Sequence, residues 1–175
     1  VHLPLSLYND MTMSTFKLSS PLVKEFRFNI WETTNPFEPF IIRRPEDAPN
    51  EEADKLAGNF SITIRQGTFG EDKMRSELFW ARKRIYEAGK EVSTEITNIT
   101  PQSLVENDIA ITICDISGLE LDGMPMPEFV QSGSYKKPKD RDGVVKFVNA
   151  LPSQWVDEIY GAVLEVNPKW DTKSQ

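Results

Sequence analysis

Histidine and cysteine are almost missing from this chain, which has one of each in 175 residues. The single histidine, His2, lies at the extreme N-terminus. A histidine-activated serine or cysteine nucleophile, or a zinc site built on imidazoles, therefore has no material within the body of the sequence. Cys114 sits inside "IAITICDISG", where a thiol serves as a small buried hydrophobe. One cysteine makes no disulfide framework, so a reducing compartment fits. The sequons at Asn59 and Asn98 then read as chance matches. Long apolar runs are also lacking: nothing approaches the roughly 18 consecutive residues of a membrane span. The opening "VHLPLSL" is too short and lacks the basic start of a secretory signal.

Phosphate-cradling glycine patterns are absent too. "RQGTFGED" carries Gly67 and Gly70 but no following Lys-Ser/Thr, and a strand-to-helix turn explains the pair. Glu71 and Asp72 in the same stretch could hold a cation, but acids in a first helical turn already complement the helix dipole. No cofactor and no metal are expected. Among the acids, Asp115 is the one placed for burial, with Arg43, Arg44 or Arg65 as its partner.

Positive charge is scarce where nucleic acid would need it. The net charge is −7. From Pro101 onward twelve acids face seven bases, whereas Met11 to Thr100 is nearly balanced at fourteen against thirteen. Phosphate binding requires a clustered basic surface. The one basic cluster, Lys73, Arg75, Arg82, Lys83 and Arg84, falls on one predicted helix and reads as a solvated face. Neither nucleic acid nor membrane is expected as a partner.

What is present is an ordinary globular composition, 39% apolar and 27% charged, enough for one folded domain. Val1 to Asp10 precede "MTMSTFKLSS", which looks more like a natural start, and are expected to be a functionless extension. "STFKLSSPLVKEFRFNIWE" alternates in part as a strand with Phe26, Phe28 and Ile30 on one side, "PFEPFIIRRP" is a short extended segment pinned by prolines, and "FSITIRQG" alternates Phe60, Ile62 and Ile64 against Ser61, Thr63 and Arg65. Flexible loops are expected near residues 45–58 and 119–143. The helical spacing of Met74, Leu78, Ala81, Ile85 and Ala88 predicts a helix Asp72–Ala88 stopped by Gly89. "EVSTEITNIT" reads as a short strand. Thr100 then caps a helix with Pro101 at its first position. It is expected to run through Ile116 to Gly118, although "IAITI" permits a strand. A short helix around Val144–Leu151 breaks at Pro152, and a last one runs from Ser153 to Asn167-Pro168 with Trp155, Ile159, Tyr160 and Val163 on one side. Strands first and helices later make an α+β fold.

The stretches "FIIRRP", "SITIRQGTFGEDKMRSELF", "LVENDIAITICDISGLELDGMPMPEF" and "VVKFVNALPSQWVDEIYGAVLEVNPKW", in that order, resemble the tail assembly chaperones of long-tailed bacteriophages from about Phe40 to Trp170. The strand-rich first part departs from an all-helical version of that family. The resemblance implies a non-catalytic protein of the host cell cytoplasm. It would coat the helical tape-measure protein, possess no enzyme activity, and yield as tail tube subunits polymerise. By the same analogy the partner-binding residues would be Met124, Met126, Phe129, Trp155 and Tyr160. For the two methionines a lid folded on the core is the competing reading, and for the C-terminal helix the core itself competes. Self-association into a homo-oligomer is left open. The alternative function is a structural virion subunit, such as a head-tail connector, neck or tail-terminator protein. An enzyme or an acidic mimic of nucleic acid ranks last.

Overall fold

The computed structural model describes residues 21–32, 39–49, 55–79, 82–96 and 99–171, with backbone alone at residues 79, 82–86 and 93–96. His2, the predicted extension Val1 to Asp10 and part of the predicted 45–58 loop lie outside these residues. Four strands, β1 (Val23–Glu32), β2 (Phe40–Ile42), β3 (Lys55–Arg65) and β6 (Ile113–Ser117), form an antiparallel sheet in the order β2-β1-β3-β6. Period-two alternation gives the sheet two unlike faces. Phe26 pairs with Ile62 and Phe28 with Phe60, all buried, while Glu25, Arg27, Ser61 and Thr63 occupy the opposite face.

The apolar face is covered by three helices: α2 (Pro101–Thr112), α3 (Arg141–Ala150) and α4 (Ser153–Val166). A shorter one, α1 (Phe69–Phe79), follows β3. The α+β expectation therefore describes the molecule. Trp155, Ile159, Ala162, Val163 and Val166 of α4 enter one core with Phe28, Phe60, Ile109 and Phe147. The rings of Phe28, Phe60 and Trp155 stack in succession at centroid separations of 5.3 and 5.8 Å. Each such side chain contributes roughly 1.5–3 kcal/mol by leaving water. Helix α2 starts as predicted, with the Thr100 hydroxyl accepting from the Ser103 N–H at 3.1 Å and Pro101 leading. Asp140 caps α3 in the same way, accepting from the Gly143 N–H at 2.7 Å.

Four expectations are corrected. The predicted helix Asp72–Ala88 stops at Phe79. Arg82–Glu87 (β4) and Lys90–Ile96 (β5) then pair as a hairpin, which takes Arg82, Lys83 and Arg84 off the helix. Gly89 does not stop a helix but turns this hairpin, with Ala88 and Gly89 both at positive φ (52° and 77°) as a two-residue turn matched to strand twist demands. Helix α2 ends at Thr112, short of the expected run to Gly118, and "ICDIS" continues without a break as β6; "IAITI", for which a strand was the alternative, stays helical up to Thr112. Within the predicted loop 119–143, Phe129–Ser132 (β7) and Tyr135–Pro138 (β8) form a second hairpin. Within 45–58, Pro45–Asp47 is a 3-10 turn and Lys55 already belongs to β3.

The turn from β3 into α1 is clamped by Asn167 at the end of α4. Its side-chain oxygen accepts from the Gly67 N–H at 2.7 Å, and its amide donates to the Arg65 carbonyl at 3.3 Å. Gly67 is required there by space, because a β-carbon would lie 2.6 Å from the Trp170 ring. Gly67→Ala is expected to cost about 1–3 kcal/mol through overpacking, measured as a lowered urea midpoint with an unchanged slope.

Candidate functional site

Asp108, on the core side of α2, is fully buried. Burial pushes its carboxyl above the ordinary range, opposed by the Tyr160 hydroxyl and the Arg75 guanidinium. Arg75 reaches in from α1 and places Nε 3.0 Å from both carboxylate oxygens, and the Tyr160 hydroxyl donates to Oδ2 at 2.8 Å. The same guanidinium donates to the Trp170 carbonyl at 3.1 Å and lies over the Trp170 ring at 5.2 Å. The Trp170 indole N–H in turn donates to Asp72 at 2.7 Å. A cleft of about 350 Å³ opens beside this junction, lined by Arg75, Leu104, Tyr160 and Leu164 among others. The phenol is held protonated, its pKa raised first by burial and then by the adjacent carboxylate. Carboxylate, phenol and guanidinium are occupied with one another, an arrangement that ties four chain segments together.

Asp115, the acid expected to be buried, is not. It lies on the polar sheet face and pairs with Lys136 of β8 at 3.3 Å, not with Arg43, Arg44 or Arg65. Arg65 instead makes a two-pronged contact with Glu71 at 2.7 Å for each bond, and donates to the Ile111 carbonyl at 2.8 Å. Burial would raise the Glu71 carboxyl, but Arg65 and Thr68 together outweigh it and hold it below the ordinary range. Cys114 is buried, and burial pushes its thiol up to about 11, which leaves it unreactive at neutral pH.

A groove of about 550 Å³ lies between the start of α2, the end of α3 and the start of α4. Val105, Val148, Leu151 and Val156 supply its apolar lining. Glu106 and Asp157 are the charged groups that line it, so its charge is of one sign. The Pro152 break lets α4 leave at an angle from α3 and opens the groove there.

The five residues named from sequence do not converge on one place. Met124 and Met126 are half-buried, pack on the core, and line a separate cleft of about 280 Å³ with Pro125 and Lys146. Phe129 begins β7 and is also half-buried against the core. Trp155 is only 5% exposed, its indole N–H donating to the Pro39 carbonyl at 2.8 Å, so it belongs to the interior. Tyr160 faces Asp108. The groove residues escaped the sequence reading, yet a signal existed. In Leu104-Val105 and Trp155-Val156 two large apolar residues are adjacent, and on a helix only one of each pair can point squarely into the core.

Among the described residues no cluster of three or more His, Cys, Asp or Glu is placed to hold a metal ion, and no helix is long and apolar enough to cross a membrane. Compared with protein-family models, characterised proteins and solved structures, the chain matches none.

Two substitutions separate interior from surface. Asp108→Ala leaves Arg75 buried without its counter-charge and is expected to cost about 3–5 kcal/mol, whereas Asp115→Ala should cost under about 1 kcal/mol, both read from urea denaturation. Met124→Asp with Met126→Asp should lower the melting temperature by several degrees, since each places a carboxylate against the core; an unchanged melting curve would return these methionines to the surface.

Proposed function

We propose that this chain is a non-catalytic tail assembly chaperone that shelters an amphipathic stretch of a tape-measure protein during virion assembly in the host cytoplasm. The observation that carries the reading is the groove between α2, α3 and α4. It offers the apolar lining of Val105, Val148, Leu151 and Val156 beside the acids Glu106 and Asp157. A helix laid in such a groove inserts side chains at i, i+3 and i+4. The acids favour a client whose apolar stripe is flanked by lysine or arginine. One groove of this size binds weakly, and many copies along a long client hold it through repetition while remaining displaceable by tube subunits. The segment order that resembles tail assembly chaperones is the second support. The internal pairing of Asp108, Arg75, Glu71 and Arg65 is the third, since it commits the most buried charged groups to holding the fold.

A virion ring subunit is the alternative reading. The two-stranded β4–β5 ribbon, a sheet of its own, favours it because such an arm can lie on a neighbouring subunit. Co-expression separates the two. With the chaperone reading, a tape-measure protein that is insoluble alone is recovered in the supernatant with this chain. Glu106→Lys with Asp157→Lys abolishes the rescue while leaving the melting temperature within a degree or two. A tape-measure protein left in the pellet, or this chain found stoichiometrically in purified particles, would overturn the proposal.

A further inference from the structure

Helix α1 is built inside out. An amphipathic helix on a globular body turns its apolar stripe inward, but the side chains that fasten α1 are polar. Glu71 binds Arg65, Asp72 accepts from Trp170, and Arg75 binds Asp108. Its described apolar side chains face water, with Phe69 84%, Met74 64% and Leu78 42% exposed. Single exposed apolar residues are ordinary. Here three of the eight large ones exposed among the described residues fall on one helix of eleven, which marks a surface.

We infer that a second copy of this chain docks on that surface, α1 against α1, antiparallel about a two-fold axis near Met74. The side chains themselves favour this occupant. At 100° per residue, Gly70, Met74 and Leu78 form one row, and Phe69, Lys73 and Glu77 form the row beside it. In an antiparallel pair the same flank of each helix meets its mate. Lys73 of one copy then falls opposite Glu77 of the other, twice by symmetry. Both are exposed and neither has an ion-pair partner among the described residues. Along the central row Leu78 falls over Gly70 of the mate, where a β-carbon would have only the Thr68 hydroxyl oxygen near it, at 3.9 Å. A parallel pair would leave the two charges without this match.

The strip is small beside the roughly 800 Å² per partner of a durable complex, so the dimer is weak, with a dissociation constant on the order of 10 μM or above. This inference is independent of what the groove binds.

Sedimentation velocity on the full chain, over a series from micromolar to millimolar, tests it. The wild type should shift towards dimer, and Met74→Glu should remain monomeric with an unchanged melting temperature. Lys73→Glu or Glu77→Lys alone should weaken association by about tenfold. The two together should restore it, because the swapped charges again face each other. A wild type that stays monomeric throughout, or a double variant no better than the singles, overturns the proposal and assigns the face to a different partner.

Discussion

A carboxylate with no access to water is tolerable only if other groups do what water would have done, and Asp108 imposes that condition on four parts of the chain. Arg75 brings α1, Tyr160 brings α4, and Trp170, which takes the second end of the guanidinium, brings the segment after Asn167. The charge attraction in so dry a place roughly offsets the cost of removing both ions from water, so the gain in net stability is small. What the junction secures is arrangement. An apolar contact would tolerate sliding, whereas a guanidinium shared between a carboxylate, a carbonyl and an indole face accepts one geometry.

That fixed arrangement decides where concave surface appears. Asp108 pins α2 in its second half, and Leu151 and Pro152 alone separate α3 from α4. Three helix ends meet there without filling the space between them. Val105 and Val156, only partly taken up by the core, line the resulting hollow above the core residues Val148 and Leu151. Glu106 and Asp157 are the acids that line that hollow.

Much of this was legible in the sequence. Phe60, Ile62 and Ile64 alternate so regularly that β3 and its inward face could be read directly, and Thr100-Pro101 marked the start of α2 to the residue. The C-terminal helix ended where Asn167-Pro168 said it would. The failures share a cause: periodicity tells that a stripe exists, not which way it faces or how far it continues. Met74 and Leu78 were correct evidence for a helix and wrong evidence for a core. Ile85 and Ala88 happened to extend the same spacing through what is a hairpin, and an alanine at positive φ leaves no trace in a sequence. Asp108 was overlooked in favour of Asp115 because the partners of a buried acid come from 33 and 52 residues away. Local pattern holds no information at that separation. The groove was missed for the related reason that concavity is a property of where helices end.

Helix α2 passes into β6 between Thr112 and Ile113 with no intervening residue, and the Thr112 hydroxyl donates back to the Asp108 carbonyl at 2.7 Å within the last turn of the helix. There is no slack in such a splice. Helix and edge strand share one unbroken stretch of backbone there, so the direction in which α2 ends also sets the direction in which β6 enters the sheet.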